Sequence, residues 1–166
     1  MSQNSSPTIQ LDTGQANRLI DIARRWYALA ALVEPVRAMV DPKWDRPLAQ
    51  AKTELLQTVS LLVEILRPAL PELQPDGLDA LSYVRDLSVS FSREHAEQLA
   101  ELARVARLQS HRLHPLLTEL PGESVTFWDA RKIVDRLAFH AGELLDYVRL
   151  VDPALAAAAA SASERG

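Results

Sequence analysis

Apolar residues recur at three- and four-residue intervals through most of this chain, the spacing that places side chains on one face of an α-helix. A first helix is predicted from about Thr13 to Val40, with Ile20, Ala23, Tyr27 and Ala30 on one stripe. Between Trp26 and Val33 the pattern is apolar nearly all round, as in a helix contacted on several sides. Pro35 lacks an amide donor and crowds the preceding turn, which predicts a kink. Asp41 to Pro47 reads as a proline-rich loop, with Asp45 as the cap of the next helix. That second helix, about Arg46 to Ala69, carries Leu48, Leu55, Val59, Leu62, Leu66 and Ala69 on its inner stripe, and Pro68, Pro71 and Pro75 end it.

After Gly77 the recurrence of Leu78, Leu81, Val84 and Leu87 predicts a short helix, about Leu78 to Phe91. Ser92 then reads as a cap, and a fourth helix runs from about Arg93 to Leu117, burying Leu99, Leu102, Ala106, Leu113 and Leu117. The last long helix opens at Thr126, with Asp129 three residues on, and its inner stripe is the cleanest of all: Ala130, Val134, Leu137, Ala141, Leu144, Val148 and Val151. Residues 1–12 read as a flexible polar leader, 13–152 as the helical domain, and 153–166 as an Ala-rich tail, frayed helix or disordered. Strand-like alternation is not evident. The fold class is all-α: an up-and-down bundle of four long helices plus one short helix.

Composition supports this and narrows the chemistry. The 166 residues suffice for one domain with a full core. Five glycines are too few for a turn-rich β fold. The net charge of −4 gives no general attraction to nucleic acid or anionic membrane. Without cysteine there are no disulfides, thiolate metal sites or cysteine nucleophiles, which fits a cytoplasmic setting. Met1 to Pro7 has no signal-peptide pattern, and the longest apolar run is far short of the roughly 20 residues a membrane span needs.

No cofactor is expected. Glycine-rich phosphate loops and dinucleotide fingerprints are missing from the sequence. No metal is expected either: di-iron bundles need Glu-x-x-His on two helices, whereas His140-x-x-Glu143 is reversed and single. His111 and His114 share a face with no carboxylate within one turn. Glu34 falls on the first helix's apolar stripe, which marks it as a candidate buried acid beside a pocket near Tyr27.

Two stripes remain. Arg93, Arg104, Arg107, His111 and His114 fall within an arc of about 60° to 80°, well away from the core stripe. The three arginines suit an anion. The Arg-x₆-His spacing, found at Arg104 to His111 and Arg107 to His114, resembles the signature of HEPN ribonucleases, although Val105 or Leu108 stands where that family often has a polar residue. The resemblance implies an RNA-binding or metal-independent ribonuclease reading, in which histidine moves a proton at the ribose 2′-hydroxyl and arginine steadies phosphate charge. The second stripe is apolar. Trp128, Phe139 and Leu150 lie eleven residues apart, on the side of the last long helix opposite its core, framed by Lys132, Asp135, Glu143 and Asp146. A helix with two apolar lines is contacted by two things, so something of the same chain or of another packs there. The expected function is therefore a non-enzymatic interaction module that self-associates or docks a partner protein through this helix.

Overall fold

The computed structural model describes residues 7–162. Its elements in chain order are β1 (Thr8–Leu11), α1 (Thr13–Met39), α2 (Asp45–Leu66), β2 (Val89–Ser92), α3 (Arg93–Leu113), α4 (Leu116–Glu119), α5 (Val125–Val151) and α6 (Pro153–Ala162), with 3-10 turns at Pro42–Trp44 and Pro75–Ala80. The fold is all-α. The four long helices close a ring in which α1 packs on α2, α2 on α3, α3 on α5 and α5 on α1. Each contributes one apolar face to a shared core around Trp26, which is fully buried. No helix among the described residues is long and apolar enough to cross a membrane.

Caps fix where the rods begin. Asp12 accepts from the Gln15 amide while Gln15 returns a bond to the Asp12 amide, closing a capping box on α1. Ser92 and His95 do the same for α3, so the break placed at Ser92 stands. Two expected caps move. Ser124, two residues before Thr126, caps α5 through the Phe127 amide. Asp45 is the first residue of α2, and Asp41 instead caps the preceding 3-10 turn. The fourth helix, expected to reach Leu117, stops at Leu113 before Pro115, and α4 follows. Helix α1 runs unbroken through Pro35.

The main departure from the sequence reading is the short helix expected over Leu78–Phe91. Pro75–Ala80 is a 3-10 turn, residues 81–88 are irregular, and Val89–Ser92 is a strand. It pairs antiparallel with Thr8–Leu11 in the register Thr8↔Ser92 to Leu11↔Val89, so part of the supposed leader is structured. Residues 1–6 of that leader, and 163–166 of the tail, lie outside the described residues. Alternation was present after all: Leu11, Val89 and Phe91 turn inward, while Ser90 and Gln10 turn outward and bond to each other. Four residues were too short a run to outweigh the helical spacing around them.

The reason residues 78–88 stay non-helical lies on α1. Asn17 brackets Val84, donating from Nδ2 to its carbonyl at 2.7 Å and accepting its amide at 3.0 Å. Arg24 donates to the carbonyls of Leu78 and Leu81, and Thr13 to that of Leu87. These side chains supply partners that a helix would have supplied internally. Leu78 and Leu87 still reach the core, so the apolar spacing is satisfied by a strap lying across the bundle. The Ala-rich segment is likewise ordered over Pro153–Ala162, packing Ala156 and Ala159 against α3 and α5.

Asn17→Ala removes both bonds to Val84 and leaves that amide and carbonyl without protein partners. It is expected to lower unfolding stability by about 1–3 kcal/mol and to speed amide exchange selectively over residues 81–88. Urea unfolding and hydrogen-exchange mass spectrometry read the two effects separately.

Candidate functional site

The inner stripe of α5 fixes that helix's rotation. Ala130, Val134, Leu137, Ala141, Leu144 and Val148 are all buried against α1 and α3. Tyr147 adds a polar tie, donating from its hydroxyl to the Gln15 carbonyl of α1 at 2.7 Å, and burial pushes its own ionisation up to about 12. With the inner face held this way, the opposite face turns to solvent. Trp128 is 51% exposed, Phe139 62% and Leu150 49%. At 1.5 Å per residue the three mark a line about 33 Å long. Neither the strap at residues 78–88 nor α6 covers it. Val125 extends it by one further turn and is 76% exposed.

Charges frame the line unevenly. At the N-terminal end, the Arg131 guanidinium lies over the Trp128 ring at 5.6 Å and reaches Asp135 at 3.3 Å. Lys132 has no ion-pair partner among the described residues. At the C-terminal end the carboxylates are Glu143, 3.1 Å from His140 Nδ1, and Asp146, 2.6 Å from Arg149. Beside Phe139 a groove of about 760 Å³ is bordered by Arg25, His114, Asp135, Arg136 and His140. Beside Leu150 a cleft of about 430 Å³ runs between α1 and α5, bordered by Gln15, Arg18, Glu143 and Asp146.

The basic stripe is less available than its spacing suggests. Arg104 is held by both oxygens of Glu101, at 2.9 and 2.6 Å, and Glu101 is in turn held below its ordinary range by that contact. Arg93 spans Glu97 and Asp152, tying α3 to the α5–α6 junction, and stands about 16 Å along the helix from Arg104. Arg107, His111 and His114 remain without ion pairs among the described residues. Glu34 is a correction: it is exposed, bound to Lys52 and Arg37 at 3.1 Å each, and its carboxyl is lowered chiefly by the Lys52 hydrogen bond rather than raised. The apolar stripe pointed inward, but Glu34 sits where the ends of α1 and α2 open to water. No three potential metal-ligating side chains cluster among the described residues.

His140 was singled out only for its spacing to Glu143, yet it is 2% exposed, packed edge-on between Trp26 and Phe139. Burial holds its pKa below 6.5, with the Glu143 hydrogen bond opposing in part. It thus joins the core to the base of the exposed line.

Compared with known families, curated proteins and solved structures, the chain matches none.

Because the unfolded chain takes up the His140 proton at a higher pH than the native state does, stability is fully present above the ordinary imidazole value of 6.5. It falls as pH drops below that value and levels off only below the depressed native pKa. A His140→Gln variant is expected to lose this part of the slope between pH 7 and 5. Urea midpoints across that range measure it; identical slopes for both proteins would exclude His140 as its source.

Proposed function

We propose that this protein is a non-enzymatic interaction module that associates with a second copy of itself through α5. The observation carrying this is the self-complementary order of side chains about Phe139. Trp128 lies eleven residues before it and Leu150 eleven after; Lys132 lies seven before and Asp146 seven after. A twofold axis through Phe139, with the two helices antiparallel, therefore sets Phe139 on its mate, each Trp128 on a Leu150, and each Lys132 opposite an Asp146. Closed twofold pairing of one surface with itself is the commonest form of protein self-assembly. Asp135 falls opposite Glu143 in this arrangement, a like-charge pair softened by Arg131 beside the first.

The energetics limit such a dimer to weak affinity. Full burial of a large apolar side chain contributes about 1.5–3 kcal/mol, and these side chains are already about half buried. Six of them across the interface contribute roughly 5–9 kcal/mol, against association costs of similar size. The ion pairs add more to orientation than to affinity. The cysteine-free composition suits a reducing, cytoplasmic setting for such an assembly. The alternative reading, RNA binding or cleavage by the α3 stripe, has less behind it, because Arg93 and Arg104 are already neutralised by carboxylates of the same chain.

Sedimentation over a range of concentrations tests the proposal. The wild type is expected to pass from monomer to dimer, while Phe139→Asp stays monomeric with an unchanged helical circular dichroism spectrum. Lys132→Asp is expected to weaken the dimer about fivefold to tenfold, in line with the 1–1.5 kcal/mol of a partly desolvated pair. Adding Asp146→Lys in the same chain restores it. A wild type that stays monomeric throughout, or a charge swap that fails to rescue, sinks the twofold arrangement.

A further inference from the structure

The groove between α2 and α3 carries a second arrangement, independent of the α5 face. Gln109 of α3 is only 4% exposed, yet its Oε1 has no hydrogen-bond partner. Glu54 of α2 lines the same cleft and keeps one carboxylate oxygen, Oε2, buried and equally without a partner. Two buried acceptors without donors destabilise the fold unless a donor reaches them. The remaining lining fits a ligand with an opposite end. Arg46 and Arg112 border the cleft, neither in an ion pair among the described residues, with Gln50 and Thr53 between.

Size and spacing restrict that ligand. The cleft holds about 400 Å³. Arg112 lies one turn beyond Gln109 and Arg46 two turns before Glu54, so the arginine backbone positions stand about 5 and 12 Å along the helices from those of the two acceptor residues. Among the described residues no aromatic ring lines the cleft, so a nucleobase has nothing to stack on. We propose that the cleft binds a small aliphatic amino carboxylate, its ammonium donating to Gln109 Oε1 and Glu54 Oε2 and its carboxylate held by Arg46 and Arg112. Arginine's planar fork suits the carboxylate end. At the other end burial, with Glu101 nearby, raises the Glu54 carboxyl, and a bound ammonium reverses that by supplying an opposite charge.

Thermal unfolding of the whole protein with 4-aminobutanoate and 6-aminohexanoate tests this, with hexanoate, hexylamine and guanosine monophosphate as comparisons. At least one amino carboxylate is expected to raise Tm saturably, and the single-ended compounds to leave it unchanged at the same concentration. Arg112→Ala, an exposed position, is expected to weaken binding about tenfold without moving the Tm of the ligand-free protein. Gln109→Leu is expected to abolish binding while raising the ligand-free Tm, because it removes the orphaned acceptor. If the Gln109 amide instead serves as a structural donor to Glu54, Gln109→Leu lowers the Tm, and the proposal fails. It fails too if neither amino carboxylate binds, if Arg112→Ala leaves affinity unmoved, or if guanosine monophosphate alone binds. Self-association through α5 is measured separately and stands or falls on its own.

Discussion

A helix in a four-rod ring can turn only one face to the shared core, and that constraint decides what this protein offers to its surroundings. In α5 the inner face is fixed twice, by the stripe from Ala130 to Val148 and by the Tyr147 bond to the Gln15 carbonyl. Rotating α5 by the roughly 180° needed to hide Phe139 would pull Leu137 and Leu144 out of the core. Each of those leucines is fully buried, so the loss exceeds what covering one exposed ring returns. The outer line of Trp128, Phe139 and Leu150 is therefore exposed because the core leaves it no alternative. Its charge framing then gives it a direction.

The other organising requirement is that buried backbone groups be paired. Residues 78–88 carry enough leucine and valine to need the core, and outside a helix their backbone groups need partners from elsewhere. Thr13, Asn17 and Arg24 of α1 meet the need from one side. The short sheet of β1 with β2 then leads straight into the caps of α1 and α3, so the two helix starts are positioned by one ribbon. At the other end Glu119 accepts from Lys43 and from the Trp44 indole, pinning the α1–α2 turn to α4. Both ends of the bundle are thus closed by polar contacts, while its middle is closed by packing.

Much of this was readable in the residue pattern. The four rods and the outward line follow from period alone, because three-and-four spacing over twenty residues has few other solutions. The break at Ser92 was readable for a second reason, the serine cap after a run poor in helix formers. What escaped depends on distant partners. Leu78, Leu81, Val84 and Leu87 keep helical spacing, and only the Asn17 amide, more than sixty residues away, makes an irregular strap the better solution. Glu34 shows the same limit from the other side: its position on the wheel says inward, but the Lys52 of another helix decides its surroundings.

The Arg/His stripe and the α2–α3 cleft bring these points to bear on function. In sequence the stripe looked like an uninterrupted basic surface, since no acid occurs between Arg104 and His114. In space Glu101 closes on Arg104 from one turn earlier, while Glu54 of α2 contributes its own field there. The unsatisfied chemistry shifts instead to the neighbouring face, where Gln109 and Glu54 bury acceptors beside two arginines without ion pairs among the described residues. A charge run read along one helix measures what that helix presents; what remains unneutralised is settled by the helix beside it. By that measure the apolar line on α5 and the polar cleft between α2 and α3 stay unmatched within the described residues, and the different physics of the two lets each be probed without disturbing the other.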